Sequence, residues 1–86
     1  MKSAYELAME RLGGTRELSE EQKAELAEID SRFDSKKAQA EMAAADALKG
    51  AETDPARADE IRQGLASELA RIEEKREAEK DKVRNA

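Results

Sequence analysis

The sequence has 86 residues, enough for one small domain, with 43% charged residues, 2% aromatic residues and a net charge of −5. It contains no cysteine and no histidine, which excludes disulfides, thiolate metal ligands and catalysis by an imidazole or a thiol. No apolar run has the length of a membrane span, and the start lacks the apolar core of a signal peptide, so we expect a soluble cytoplasmic protein.

The composition leaves two classes of protein open. Leu, Ile, Val and Phe together number only twelve, which is typical of disordered chains. Seventeen alanines with abundant Glu, Lys and Arg instead favour long helices. Positive and negative residues also alternate, whereas a solvating tail has blocks of one sign. An all-α protein is therefore the favoured class.

A short helix is predicted over residues 3–12. Tyr5, Met9 and Leu12 recur at helical spacing on one face, and the two glycines that follow are typical of a helix end. A helix of this length is marginal alone in water, so it should dock on something. We expect it to fold across the open end of the longer helices, or across that end of a partner chain.

A long helix is predicted over residues 20–49. Ser19 and Gln22 have the spacing of a capping box, in which each side chain satisfies a backbone N–H of the other residue. Gly50 ends the helix. An apolar stripe at spacings of three and four marks the face that should be covered: Leu26, Ile29 and Phe33.

A second long helix is predicted over residues 55–84, after a turn at 50–54. Asp54 is a suitable N-cap, and Pro55 is well placed at the first helical position, where its missing N–H costs nothing. Its apolar stripe contains four large side chains: Ile61, Leu65, Leu69 and Ile72.

Two helices of matched length joined by a short turn should pair as an antiparallel coiled-coil hairpin, within a single helical domain spanning residues 1–86. Facing residue numbers would then sum to about 105, which sets the alanines of the first long helix against the bulky side chains of the second. So few large apolar residues make a thin core. A homodimer in a four-helix arrangement is therefore the preferred prediction, and a monomer remains the alternative.

The residue inventory argues against an enzyme. No serine lies in a recognisable nucleophile turn, and a few packed helices offer no apolar pocket to separate the pKa values of two carboxylates. We therefore expect no catalytic residue, metal, cofactor or small-molecule substrate. Nucleic acid is also disfavoured, because acids cancel the basic residues near the C-terminus and no aromatic residue is placed to stack on bases.

The predicted hairpin tip gathers four acids: Glu52, Asp54, Asp59 and Glu60. An acidic tip with an Asp54-Pro55 turn followed by Arg57 and Asp59 resembles the DksA-like transcription factors, which insert a coiled-coil hairpin into the secondary channel of bacterial RNA polymerase. That resemblance implies a regulator that binds a large complex through its tip. The globular or zinc-binding domain of those factors has no counterpart in this sequence.

A second resemblance rests on the stretches KSAYELAMERL at 2–12 and LSEEQKA at 18–24. They look like the start of short, charged, uncharacterised bacterial helical-hairpin proteins, which implies a free-standing protein with no known activity.

The sequence thus predicts a non-enzymatic interaction or assembly module whose partner is itself or another helical protein, without nucleic acid or membrane. Ten residues are the candidates for packing or self-association: Tyr5, Met9, Leu12, Leu26, Ile29, Phe33, Ile61, Leu65, Leu69 and Ile72.

Overall fold

The protein folds back on itself as an antiparallel helical hairpin, which confirms the all-α fold predicted from the sequence. The computed structural model describes residues 3–4 and 17–86. Helix α1 spans Glu20–Lys49, helix α2 spans Pro55–Arg84, and the two pack against each other. The predicted helix over 3–12 lies almost wholly outside the described residues, and so do its candidates Tyr5, Met9 and Leu12.

Helix α1 begins with the capping box that the sequence indicates. The backbone N–H of Gln22 donates to Oγ of Ser19 over 3.0 Å, and the backbone N–H of Ser19 donates to Oε1 of Gln22 over 2.8 Å. The side-chain nitrogen Nε2 of Gln22 also donates to the backbone carbonyl oxygen of Val83 over 3.0 Å. A local cap therefore also fastens the open end of the hairpin to α2.

The turn between the helices is closed by short backbone and side-chain hydrogen bonds. The N–H of Ala51 donates to the carbonyl of Leu48 over 3.1 Å, and the N–H of Asp54 donates to the carbonyl of Ala51 over 3.0 Å. The Asp54 carboxylate then accepts the N–H of Arg57 over 3.1 Å and caps α2. Ala51 is buried, so its small side chain suits the close approach of the two helices.

The core of the described hairpin is thin. Five residues are buried, three of them alanines: Ile29, Phe33, Ala44, Ala51 and Ala58. Phe33 is the only fully buried large side chain among the described residues, at 1% exposure. Within α2, which is described in full, only Ala58 is buried, and the large apolar side chains are half-buried. Two helices cover each other along one line only, which leaves the flanks of that line open to water.

Candidate interaction surface

The hairpin has two broad sides, one on each flank of the line where the helices meet, and the two sides differ in charge pairing. On the first, which we call the paired side, α1 presents Asp30, Asp34 and Lys37, and α2 presents the residues that bind them. On the second, which we call the groove side, the helices leave an open cavity. The two sides are therefore described separately.

Ion pairs between the helices cross the paired side. Nζ of Lys37 lies 3.0 Å from Oε1 of Glu73, and Nζ of Lys80 lies 3.0 Å from Oδ1 of Asp30. Arg76 joins them, with Nη1 3.6 Å from Oδ1 of Asp30. These side chains are partly buried, from 15% exposed for Lys80 to 38% exposed for Asp30, and still meet water. Each pair therefore contributes modestly to stability, and together they fix the register of the two helices.

The carboxylate of Glu73 has the clearest electrostatic perturbation on the paired side. The hydrogen bond from Lys37 lowers the pKa of Glu73 below its ordinary value, and the positive charge of Arg76 acts in the same direction. Partial desolvation opposes both effects but does not outweigh them. Glu73 is therefore held in its ionised form by α1 and by its own helix.

The groove side carries a shallow cavity of about 340 Å³ between the helices. Its apolar lining comes from Phe33, Ala40 and Ile72. The remaining lining side chains are polar or charged: Lys36, Gln39, Glu68, Arg71 and Lys75. The cavity is thus an apolar floor with a mostly cationic rim.

The cations on this rim have no anionic partner within the described part of the chain. Lys36, Arg71 and Lys75 are all exposed and make no ion pair there, although the chain as a whole is acidic. Nζ of Lys36 lies 4.7 Å from the centroid of the Phe33 ring, a cation–π contact that holds this ammonium group over the cavity. The groove side therefore offers unpaired positive charge beside an apolar surface.

Most acids of the predicted tip are engaged in local interactions. Asp54 caps α2, Asp59 lies 3.3 Å from Arg62, and Glu60 lies 3.2 Å from Arg57. Glu52 is exposed and makes no ion pair with any residue that the structure describes. A second cavity at the tip is lined partly by these residues: Leu48, Ala51, Glu52, Pro55, Ala58, Asp59 and Arg62. Arg57 and Arg62 pair with two of the four acids, so the tip is less acidic than its carboxylates alone suggest but keeps a net negative charge.

The described candidate residues all lie along the line where the helices meet. Ile29 and Phe33 are buried in α1, while five others remain half-buried: Leu26, Ile61, Leu65, Leu69 and Ile72. Phe33 and Ile72, predicted to face each other, line the same cavity.

Sequence reasoning missed two sets of residues. The cross-helix pairs of Asp30 with Arg76 and Lys80 were not predicted. The register between the two helices would have indicated them, because it sets acids of α1 against bases of α2. The unpaired cations of the groove were also missed, because nothing in the local sequence distinguishes them from solvated surface charges.

No protein-family model, curated protein or solved structure matches this chain. Within residues 3–4 and 17–86, no group of acidic side chains is arranged to hold a metal ion. Neither α1 nor α2 contains a stretch apolar enough to cross a membrane.

Proposed function

We propose that this protein is a non-enzymatic assembly module whose helical hairpin self-associates and presents helical surfaces to its partner, either a second copy or another helical protein. The observation that carries the proposal is the row of large aliphatic side chains on α2 that are only half-buried: Ile61, Leu65, Leu69 and Ile72. A lone hairpin leaves this row in contact with water on its flanks.

The energetic case rests on how little the hairpin buries. Burial of apolar surface contributes about 25 cal/mol for each Å², so half-buried Leu and Ile side chains lack part of their possible contribution. Among the described residues Phe33 alone is fully buried. A four-helix arrangement of two hairpins would cover the exposed flanks and add apolar burial that one hairpin lacks.

The competing proposal, a regulator that binds a large complex such as RNA polymerase through its tip, has weaker support. Asp54, Asp59 and Glu60 already bind neighbouring groups of the chain, which partly neutralise their charge. No catalytic residue or cofactor enters either proposal.

Light scattering or sedimentation equilibrium tests self-association directly. We expect twice the 9.5 kDa mass of one chain for the wild type. Ile72→Ser should reduce this mass toward that of one chain, because it places a hydroxyl on the half-buried apolar row. Met42→Ser is the matched control, since Met42 is 67% exposed, and it should leave the mass unchanged.

Two results would decide against the proposal. A wild-type mass of one chain at every concentration would remove self-association as the function. If binding of a large complex instead depended on Asp54→Ala and Asp59→Ala while Ile72→Ser had no effect, the tip proposal would replace it. Circular dichroism of Ile72→Ser separates loss of association from loss of folding.

A further inference from the structure

One stripe of α1 changes the sign of its charge along the helix. Glu21, Glu25 and Glu28 come first, and Arg32 and Lys36 continue the stripe at spacings of three and four residues, which keeps all five side chains on one side of the helix. Because Lys36 lines the cavity, this stripe belongs to the groove side. Three residues of the stripe are acidic and two are basic.

The charges of this stripe are mostly unpaired. Glu21, Glu25 and Glu28 are exposed and make no ion pair in the described part of the chain, and the same holds for Lys36. Arg32 is the exception, with Nη2 2.8 Å from Oε1 of Glu79. On the paired side, in contrast, cross-helix ion pairs form readily. The groove side thus leaves both acids and bases available to a partner.

We infer that two copies of this chain dock groove side to groove side, with α1 antiparallel to α1 of the second copy. A two-fold axis between Glu28 and Arg32 sets Glu25 of each copy against Lys36 of the other, and Glu28 of each copy against Arg32 of the other. Because the interface is the same on both copies, each such contact forms twice. The inference rests on the self-association proposed above and assigns its surface and geometry.

The same axis produces complementary contacts on α2, whose position relative to α1 is fixed by pairs such as Asp30 with Arg76. Arg71 and Lys75, on the rim of the cavity, come beside Glu25 and Glu28 of the second copy. Glu68 comes opposite Lys82 of the second copy. Neither Glu68 nor Lys82 makes an ion pair among the described residues. The charges of α2 were not used to place the axis, so the contact of Glu68 with Lys82 supports it independently, whereas the same register sets Lys75 opposite Lys75 of the second copy.

The area available on the groove side is sufficient for a specific dimer. With the axis between Glu28 and Arg32, residues 20–41 of α1 face the second copy over about 33 Å, and two helices side by side are about 20 Å wide, which gives about 660 Å² for each copy. Specific interfaces begin at about 600 Å² for each partner. Docking would also close the cavity over Phe33 and Ile72 and remove their remaining exposed surface from water.

Charge reversal with complementation tests this geometry. Glu25→Lys with Glu28→Lys leaves Glu21 as the one acid of the stripe, and Lys36→Glu with Arg71→Glu makes the groove side mainly acidic. We expect each double variant alone to self-associate at least tenfold more weakly than the wild type. An equimolar mixture should restore a dimer containing one copy of each, because the reversed charge at residue 25 then meets the one at residue 36, and those at residues 25 and 28 lie beside the one at residue 71. Residue 28 of the first variant still faces Arg32 of the second, so this one contact stays repulsive.

Glu41→Lys with Glu74→Lys is the matched control. It makes the same change in net charge at two exposed acids outside the groove side that form no ion pair in the described chain, and it should dimerise as the wild type does. Native mass spectrometry distinguishes the mixed dimer from the parent chains.

The outcomes separate the inference from the function on which it rests. Dimers that persist in both reversed variants would overturn the docking geometry and leave self-association in place. Failure of the mixture to form a mixed dimer, with both variants still helical, would also overturn the geometry. A monomeric wild type would overturn self-association itself.

Discussion

At the scale of single residues, Phe33 is the side chain on which the hairpin most depends. It is 1% exposed, lies between the helices, and has Lys36 and Arg32 over its ring at 4.7 Å and 5.3 Å from the centroid. Among the other buried residues of the described hairpin only Ile29 is large, so little buried side-chain volume is available to fill the space that Phe33 occupies.

Phe33→Ala should lower the free energy of unfolding by about 3–5 kcal/mol, since it removes a buried aromatic side chain and leaves a cavity. Thermal or urea unfolding followed by circular dichroism measures this change. Met42→Ala, at a side chain that is 67% exposed, should alter stability by less than about 0.5 kcal/mol. Equal effects of the two substitutions would contradict the described packing.

The Lys37–Glu73 pair makes stability depend on pH. The pKa of Glu73 is lowered in the folded protein, so its contribution is fully present above the ordinary carboxyl pKa and is lost as the pH falls through the lowered value. The difference in stability between wild type and Glu73→Gln should therefore shrink on acidification from neutral pH to about pH 3. A difference that stays constant over this range would show that the pair has no linkage to folding.

Residue-scale features were predictable from the sequence where they depend on hydrophobic spacing or on contacts within one helix. Phe33 belongs to an apolar stripe of period three and four, so its place between the helices could be inferred. The partners of Asp30 could not be inferred in this way, because its pairing with Lys80 and Arg76 depends on the register between the two helices. Ionic contacts within one helix, such as Arg62 with Asp59, needed no such information.

At the scale of the elements, both helices begin at caps that are local in sequence. Ser19 with Gln22 and Asp54 with Pro55 carry their own start signals, which is why the sequence indicates them without any tertiary information. The second role of Gln22, as donor to the carbonyl of Val83, depends on folding of the whole hairpin and has no local signal.

Gly64 is a weak point in α2 that can be repaired. It lies inside the helix, and a Cβ built there would meet no atom within 4 Å. Gly64→Ala should therefore raise stability by up to about 1 kcal/mol, through the higher helix propensity of alanine. For a domain of this size, that gain corresponds to a rise in Tm of about 4–8 °C. A lower Tm would indicate that the position is more crowded than described.

At the scale of the whole molecule, the predicted hairpin is confirmed, and its central weakness is the small amount of apolar surface that it buries. The thin core was predictable, because it follows from the few large apolar residues. The sequence did not indicate which side of the hairpin carries the ion pairs and which carries the cavity. That difference depends on small differences in the angular positions of side chains around two packed helices.

Association through the groove side should weaken with salt. The Debye length falls from about 10 Å at 0.1 M to about 3 Å at 1 M ionic strength, so exposed pairs such as Glu25 with Lys36 lose most of their attraction. We expect the dissociation constant measured by sedimentation to rise with added sodium chloride. Association that strengthens with salt would instead indicate that the apolar row of α2 acts alone.

Distances between spin labels in the assembled protein test antiparallel docking most directly, since the chain has no cysteine and one engineered cysteine gives one label for each copy. With the axis between Glu28 and Arg32, labels at Ser31→Cys should lie within about 25 Å of each other. Labels at the tip, at Thr53→Cys, should lie about 65 Å apart, at opposite ends of the dimer. Short tip-to-tip distances, or no dipolar signal at either site, would contradict this arrangement.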